Sequence, residues 1–128
     1  MSYTIKNLQE IEDVAPKFGF DEVQEARFPR KDLNSETVGL AFHRVKPGRR
    51  QAFAHRHEEA EEVYVILSGD GQMKLDDEVI AVSKLDAIRV APTIARAFEA
   101  GPDGLELLVF GPRMAGDGEV LREDFWAA

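Results

Sequence analysis

Two imidazoles and a carboxylate stand close together in this chain. His55-Arg56-His57 puts histidines at i and i+2, and Glu62 follows five residues later. On a strand, i and i+2 project to one face, so both rings enter the same cavity. Glu62 opens the apolar run Val63-Tyr64-Val65-Ile66-Leu67, and a short bend through Glu58-Glu59-Ala60-Glu61 would aim it at that cavity too. Two neutral imidazoles and one carboxylate form a facial donor set suited to Fe(II), Mn(II), Zn(II), Ni(II) or Cu(II), with positions left for water or substrate. The competing reading makes His55 and His57 a hydrogen-bonded pair without metal and Glu62 one member of a solvated acidic run. Tyr64 shares the face of Glu62; it either offers its phenol to a ligand or fills the core with the hydroxyl satisfied. His43, the third histidine, lies on the strand pattern Val38–Val45, either bordering the cavity or partly exposed.

The elements that must position these groups are short β segments. Val38–Val45, Val63–Leu67, Gln72–Leu75, Val79–Val82, Ala87–Val90, Arg96–Glu99 and Leu105–Phe110 are separated by turn chemistry. Pro47-Gly48 suits a type II turn, Ser68-Gly69-Asp70-Gly71 and Gly101-Pro102-Asp103-Gly104 read as turns, and Asp76-Asp77-Glu78 as a hairpin connection. At least seven such segments predict an all-β sandwich or barrel. Near the N-terminus, Asn7 caps an expected helical turn through Asp13, with Leu8, Ile11 and Val14 at helical spacing and Pro16 and Gly19 ending it. Residues 17–37 read as an edge strand and a loop.

Composition bounds the function. The 128 residues suffice for one domain, and 44% are apolar against 31% charged. With no cysteine, disulfides, thiolate ligands, iron–sulfur clusters and thiol nucleophiles are excluded. Twenty-four acidic residues against sixteen Lys and Arg give a net charge of −8, which argues against a nucleic-acid partner. The apolar runs are too short to span a bilayer, and no charged leader precedes an apolar stretch; a cytoplasmic protein is expected. Ser68 and Ser83 have no adjacent base, which disfavours a nucleophilic hydrolase. Phe42, Phe53, Phe98 and Phe110 are candidates for an apolar pocket wall, and Phe125-Trp126 for an anchor docked on the barrel or on a second subunit.

Gly48, His55, His57, Glu62 and Gly69 resemble the first motif of the cupins: Gly, five residues, His-x-His, three or four residues, Glu, six residues, Gly. The Gly48–His55 gap holds one residue more than usual. Over residues 36–112 the resemblance implies a cupin-type β-barrel (a double-stranded β-helix or jelly roll), flanked by an N-terminal extension over 1–35 and a tail over 113–128. It also implies a divalent metal (Fe, Mn, Zn or Ni) on His55, His57 and Glu62, a small-molecule ligand and a homodimer.

The second cupin motif is altered. Its positions hold Leu85, Ala91, Thr93, Arg96 and Ala100, with Pro92 beside its usual place, so Arg96 stands where the fourth ligand, a histidine, is expected. Arginine stays protonated and does not coordinate metal. Three placements compete. In the first, the metal stays on His55, His57 and Glu62, and Arg96 clamps an anionic substrate together with Tyr64. In the second, Arg96 pairs with Glu62 in the metal's place. In the third, it swings to solvent. The corresponding functions are a metal-dependent oxygenase, isomerase or lyase acting on a small, anionic molecule; a metal-free small-molecule-binding cupin with Arg96 as anion clamp; and an interaction protein with an eroded site.

Overall fold

A computed structural model describes residues 2–112, 116–121 and 124–127. Eight strands are joined in one curled, barrel-like sheet: β1 (Gln24–Arg27), β2 (Val38–Val45), β3 (Ala54–His57), β4 (Glu62–Leu75), β5 (Glu78–Ser83), β6 (Ala87–Val90), β7 (Arg96–Pro112) and β8 (Gly118–Leu121). The order β1-β2-β7-β3-β8 runs through β7, and β4 pairs with β5, β6 and β7. All pairings are antiparallel. Alternate residues of these strands, among them Val45, Tyr64, Ile66, Met73, Phe98, Leu105 and Leu107, point inward and make the core.

Two expected turns are bends within strands. Val63–Leu67 and Gln72–Leu75 are the two ends of β4, and Arg96–Glu99 and Leu105–Phe110 the two ends of β7. The glycines between them supply close approach rather than chain reversal. Gly69 has φ +79°, and a Cβ there would lie 2.0 Å from the Gly104 carbonyl oxygen; at Gly71 it would lie 2.1 Å from that of Glu99. The β4–β7 register shifts between Ile66 and Ser68 and again between Gly69 and Gly71, so the pair bends together through two irregularities. At Pro47-Gly48 the expected turn forms: Arg49 N–H donates to Lys46 O at 3.0 Å, and Gly48 has φ +70°.

The N-terminal helical signal is divided in two. Asn7 caps a 3-10 turn over Leu8–Glu10, its side chain accepting from Gln9 N–H, and α1 (Ala15–Phe18) follows with Gly19 as its left-handed cap. Asp13 interrupts the helix because its Oδ1 accepts from both Ala15 and Ala26 N–H, tying the extension to β1. In the C-terminal segment, β8 pairs along β3. Phe125 and Trp126 dock on the barrel itself: Lys74 Nζ donates to Phe125 O and sits 4.8 Å from its ring, and the Arg50 guanidinium lies 4.8 Å from the Trp126 ring. None of the described helices is long and apolar enough to cross a membrane.

The bend makes a graded prediction. Gly69→Ala combines a left-handed φ with a backbone clash and is expected to cost about 3 kcal/mol or more. Gly48→Ala meets nothing within 4 Å and carries only the conformational penalty, about 1 kcal/mol. Urea unfolding of the two variants reads the difference, and equal midpoints would contradict the account.

Candidate metal centre

His55 and His57 extend from β3 on one face, their rings edge to face with centroids 5.1 Å apart. Glu62 begins β4 and reaches both: its Oε1 lies 3.3 Å from His55 Nε2 and 3.3 Å from His57 Nε2. Glu61 points outward and pairs with Arg89 at 3.0 Å, so the strand register selects Glu62. Tyr64, two residues on and 2% exposed, donates its hydroxyl to Glu62 Oε1 at 2.8 Å. Burial would raise the Glu62 carboxyl. The hydrogen bond and charge of His55, the hydrogen bond of Tyr64 and the charge of His57 outweigh it and hold the group at about 2. Burial and the Glu62 charge push the Tyr64 phenol well above its usual value, against an opposing pull from Arg96, so it stays a donor.

These groups fit a metal. Donor atoms of His55, His57 and Glu62 all lie within 4.8 Å of one another. Adjacent ligands about 2.1 Å from a cation, at angles between roughly 90° and 109°, stand roughly 3.0 to 3.4 Å apart; the two observed separations of 3.3 Å fall in that range. Both ring nitrogens of His57 are buried without a hydrogen-bond partner among the described residues. A bound cation on Nε2 would satisfy one of them. His57 Nδ1 faces Asp117 Oδ2 at 3.3 Å. Asp117 is fixed in turn: its Oδ1 accepts from the N–H groups of Glu58 and Glu59, and its Oδ2 from that of Ala60. Burial raises the Asp117 carboxyl, but these three bonds and His57 bring it below its ordinary value. A carboxylate behind a ligating imidazole orients the ring and raises its basicity.

The site opens into a cavity of about 270 Å³ whose wall includes Phe20, Phe28, Phe53, Ala26, Ala41 and Val109. Of the expected wall residues only Phe53 lines it: Phe98 packs in the core with its ring 5.3 Å from that of Tyr64, and Phe42 and Phe110 are not part of the wall. Phe20 and Phe28 come from the segment read only as edge strand and loop, and Asp117 from the expected tail. His43 lines the cavity from β2 with Phe28 edge-on at 5.7 Å. Burial, and next the charge of His55, lower the His43 imidazole to about 4 against an opposing pull from Glu62.

Residues 41–110 match the family model described as Cupin domain. The chain belongs to the cupin family. Among solved structures it resembles a cupin protein from Bacteroides fragilis (TM-score 0.70, 21% identity, 100% of this chain and 98% of that one). It also resembles a polyketide cyclase from Streptomyces resistomycificus (TM-score 0.76, 18% identity, 94% and 88%). A third similar structure is oxalate decarboxylase from Bacillus subtilis (TM-score 0.71, 20% identity), where 92% of this chain covers 33% of that one. At these identities the likeness concerns the fold. A comparison with curated proteins finds no match.

In this cupin Arg96 adopts none of its three expected placements. It is 1% exposed, so it does not reach solvent, and it does not line the cavity. Its Nη atoms donate to the carbonyls of Pro92 and Ala91 at 3.3 Å each, and it forms no ion pair with Glu62. As the first residue of β7 it pairs with His55 across the strands, while its side chain turns to the carbonyls of the preceding loop.

Two measurements follow from this arrangement. Asp117→Asn keeps the acceptor for Glu58 and Glu59 N–H but loses the one for Ala60 N–H and removes the charge behind His57, and Co(II) affinity should fall about 10- to 100-fold by spectroscopic titration. For His43, the folded value of about 4 lies below the ordinary 6.5, so between these pH values the unfolded chain binds the extra proton. Stability should therefore rise with pH across that window, by about 3 kcal/mol. Glu62 has the opposite sign of linkage to burial alone: its stabilisation is present above its ordinary value of 4.5 and is lost as pH falls toward about 2. Urea unfolding of wild type and His43→Leu as a function of pH should show the slope between 4 and 6.5 flattened in the variant.

Proposed function

We propose that this cupin binds one divalent metal through His55, His57 and Glu62 and acts on a small molecule held in the adjoining cavity, as an oxygenase, isomerase or lyase. The observation that carries the reading is His57: a partly buried imidazole, both ring nitrogens out of solvent contact, backed by Asp117 and with its Nε2 facing the carboxylate it shares with His55. The donor set suits Fe, Mn, Zn or Ni. When bound, such a metal supplies a Lewis acid that polarises a substrate oxygen. The protein's own groups do the rest. Tyr64 holds Glu62 oriented and ionised, the Asp117 carboxylate stands 3.3 Å behind the His57 ring, and Phe20, Phe28 and Phe53 line the cavity beside the ligands. The similar oxalate decarboxylase and polyketide cyclase support small-molecule enzymology on this fold.

The alternative, a metal-free receptor clamping an anion with Arg96, has less support, because the guanidinium is turned to backbone carbonyls rather than to the cavity. A homodimer in the cytoplasm remains part of the proposal on family resemblance.

Elemental analysis after loading with Fe(II), Mn(II), Zn(II) or Ni(II) should find one equivalent per chain in wild type and in Arg96→Ala, and none in His57→Ala. Absence of metal from the reconstituted wild type would remove the reading. Sedimentation should show a species of twice 14.3 kDa; a monomer alone would refute the dimer.

A further inference from the structure

His43 enters the cavity in a fixed protonation pattern. Gln24, on β1 and 4% exposed, accepts the Ala52 N–H on its Oε1 at 3.1 Å. A backbone N–H only donates, so the amide cannot turn over without leaving that group facing another donor. The Gln24 Nε2 therefore faces His43, 3.2 Å from Nδ1. An amide nitrogen also only donates, so Nδ1 accepts, and a neutral imidazole must then carry its proton on Nε2. The backbone of Ala52 thus sets the tautomer of a histidine on a different strand.

This pattern decides what His43 can do beside the three candidate ligands. To bind a metal through Nε2 it would have to move its proton to Nδ1, where it would point at the Gln24 amide, donor against donor. A fourth-ligand role is opposed by that chain of hydrogen bonds. What the ring offers the cavity is an N–H. The remaining wall is aromatic and aliphatic apart from Gln24, Gln51, Tyr64 and the three candidate ligands, and no Lys or Arg lines it among the described residues. A volume of about 270 Å³ is at the lower end for small-molecule sites, where roughly 300 Å³ already holds a compact ligand.

We propose that His43 is a substrate-positioning residue whose Nε2–H receives a carbonyl oxygen, and that the cavity therefore selects a compact aromatic molecule bearing that group. This rests on the small-molecule reading above and gives to His43 the positioning role expected of Arg96. The aromatic body meets Phe20 and the half-exposed Phe28 and Phe53, and the His43 N–H fixes which end of the molecule faces it. A donor held in one orientation discriminates against an analogue that lacks the acceptor, because it is then left without a partner.

Two experiments on the full chain test this. In protein labelled with 15N-histidine, long-range proton–nitrogen correlations should place the His43 proton on Nε2, with His43→Gln giving the assignment. On loading with Zn(II), the His55 and His57 signals should move as ligands and those of His43 should not. A proton on Nδ1, or a zinc-bound Nε2 at His43, would overturn the proposal. If no histidine responds to zinc, the metal reading fails while the tautomer is still read. The second experiment titrates Zn(II)-loaded protein with acetophenone and ethylbenzene, followed by amide shifts. Acetophenone should bind about tenfold tighter than ethylbenzene, and His43→Phe should remove that advantage while leaving ethylbenzene within about twofold. Equal loss of both in the variant would mean that His43 only packs. No binding of acetophenone would overturn the substrate class while leaving the zinc result standing.

Discussion

One carboxylate oxygen organises the centre of this protein. Glu62 Oε1 stands at 3.3 Å from two imidazole nitrogens and accepts the Tyr64 hydroxyl at 2.8 Å. A buried carboxylate surrounded by donors stays ionised despite the cost of desolvation. Its position is set by β7, which holds both ligand strands: Arg96 at one end pairs with His55, and Phe110 near the other pairs with Val63, next to Glu62. The spacing of these residues depends on the bend of β7 and, over a shorter path, on Glu62 pairing with Val90 of β6 and the His57 N–H donating to Pro92 O at 2.8 Å. That bend depends in turn on backbone contacts which a side chain at Gly69 or Gly71 would prevent.

Charge and polarity are divided around the centre with little overlap. Arg96 is buried on the carbonyl oxygens of Ala91 and Pro92 and does not line the cavity, Glu62 does, and the aromatic part of the wall comes from Phe20, Phe28 and Phe53. Low polarity on that wall strengthens every hydrogen bond made inside it and penalises any group that enters without a partner. The site is thus more selective than its few polar atoms suggest. Gln24 illustrates the point: one buried amide connects the backbone of Ala52 to the ring of His43 and leaves neither with a choice of proton position.

Much of this was legible in the chain. His-x-His and Glu62 are local signals, because strand periodicity alone puts the imidazoles on one face and the register separates Glu62 from Glu61. The β segments were readable for the same reason. Less so was their continuity: Gly69, Gly71 and Gly101–Gly104 have the composition of turns, and only long-range contact distinguishes a bend in a strand from a reversal. Phe20, Phe28 and Asp117 were missed because their roles come from tertiary contacts far along the chain. The single hint at Asp117 was an aspartate between two glycines, Gly116 and Gly118. Arg96 was marked as the departure from the cupin pattern, yet its direction depended on carbonyls at 91 and 92 that no spacing rule identifies.

The pairing of β3 with β8 has a consequence for biosynthesis. The histidine strand meets β7 through one residue pair, but runs alongside β8 over its whole length, and His57 relies on an aspartate just ahead of that strand. Both emerge from the ribosome after every other element that bears a residue of the centre. A nascent chain can thus collapse much of its barrel while His57 still lacks its support, and any metal the site takes up would meet the complete set of residues only after β8 has been made.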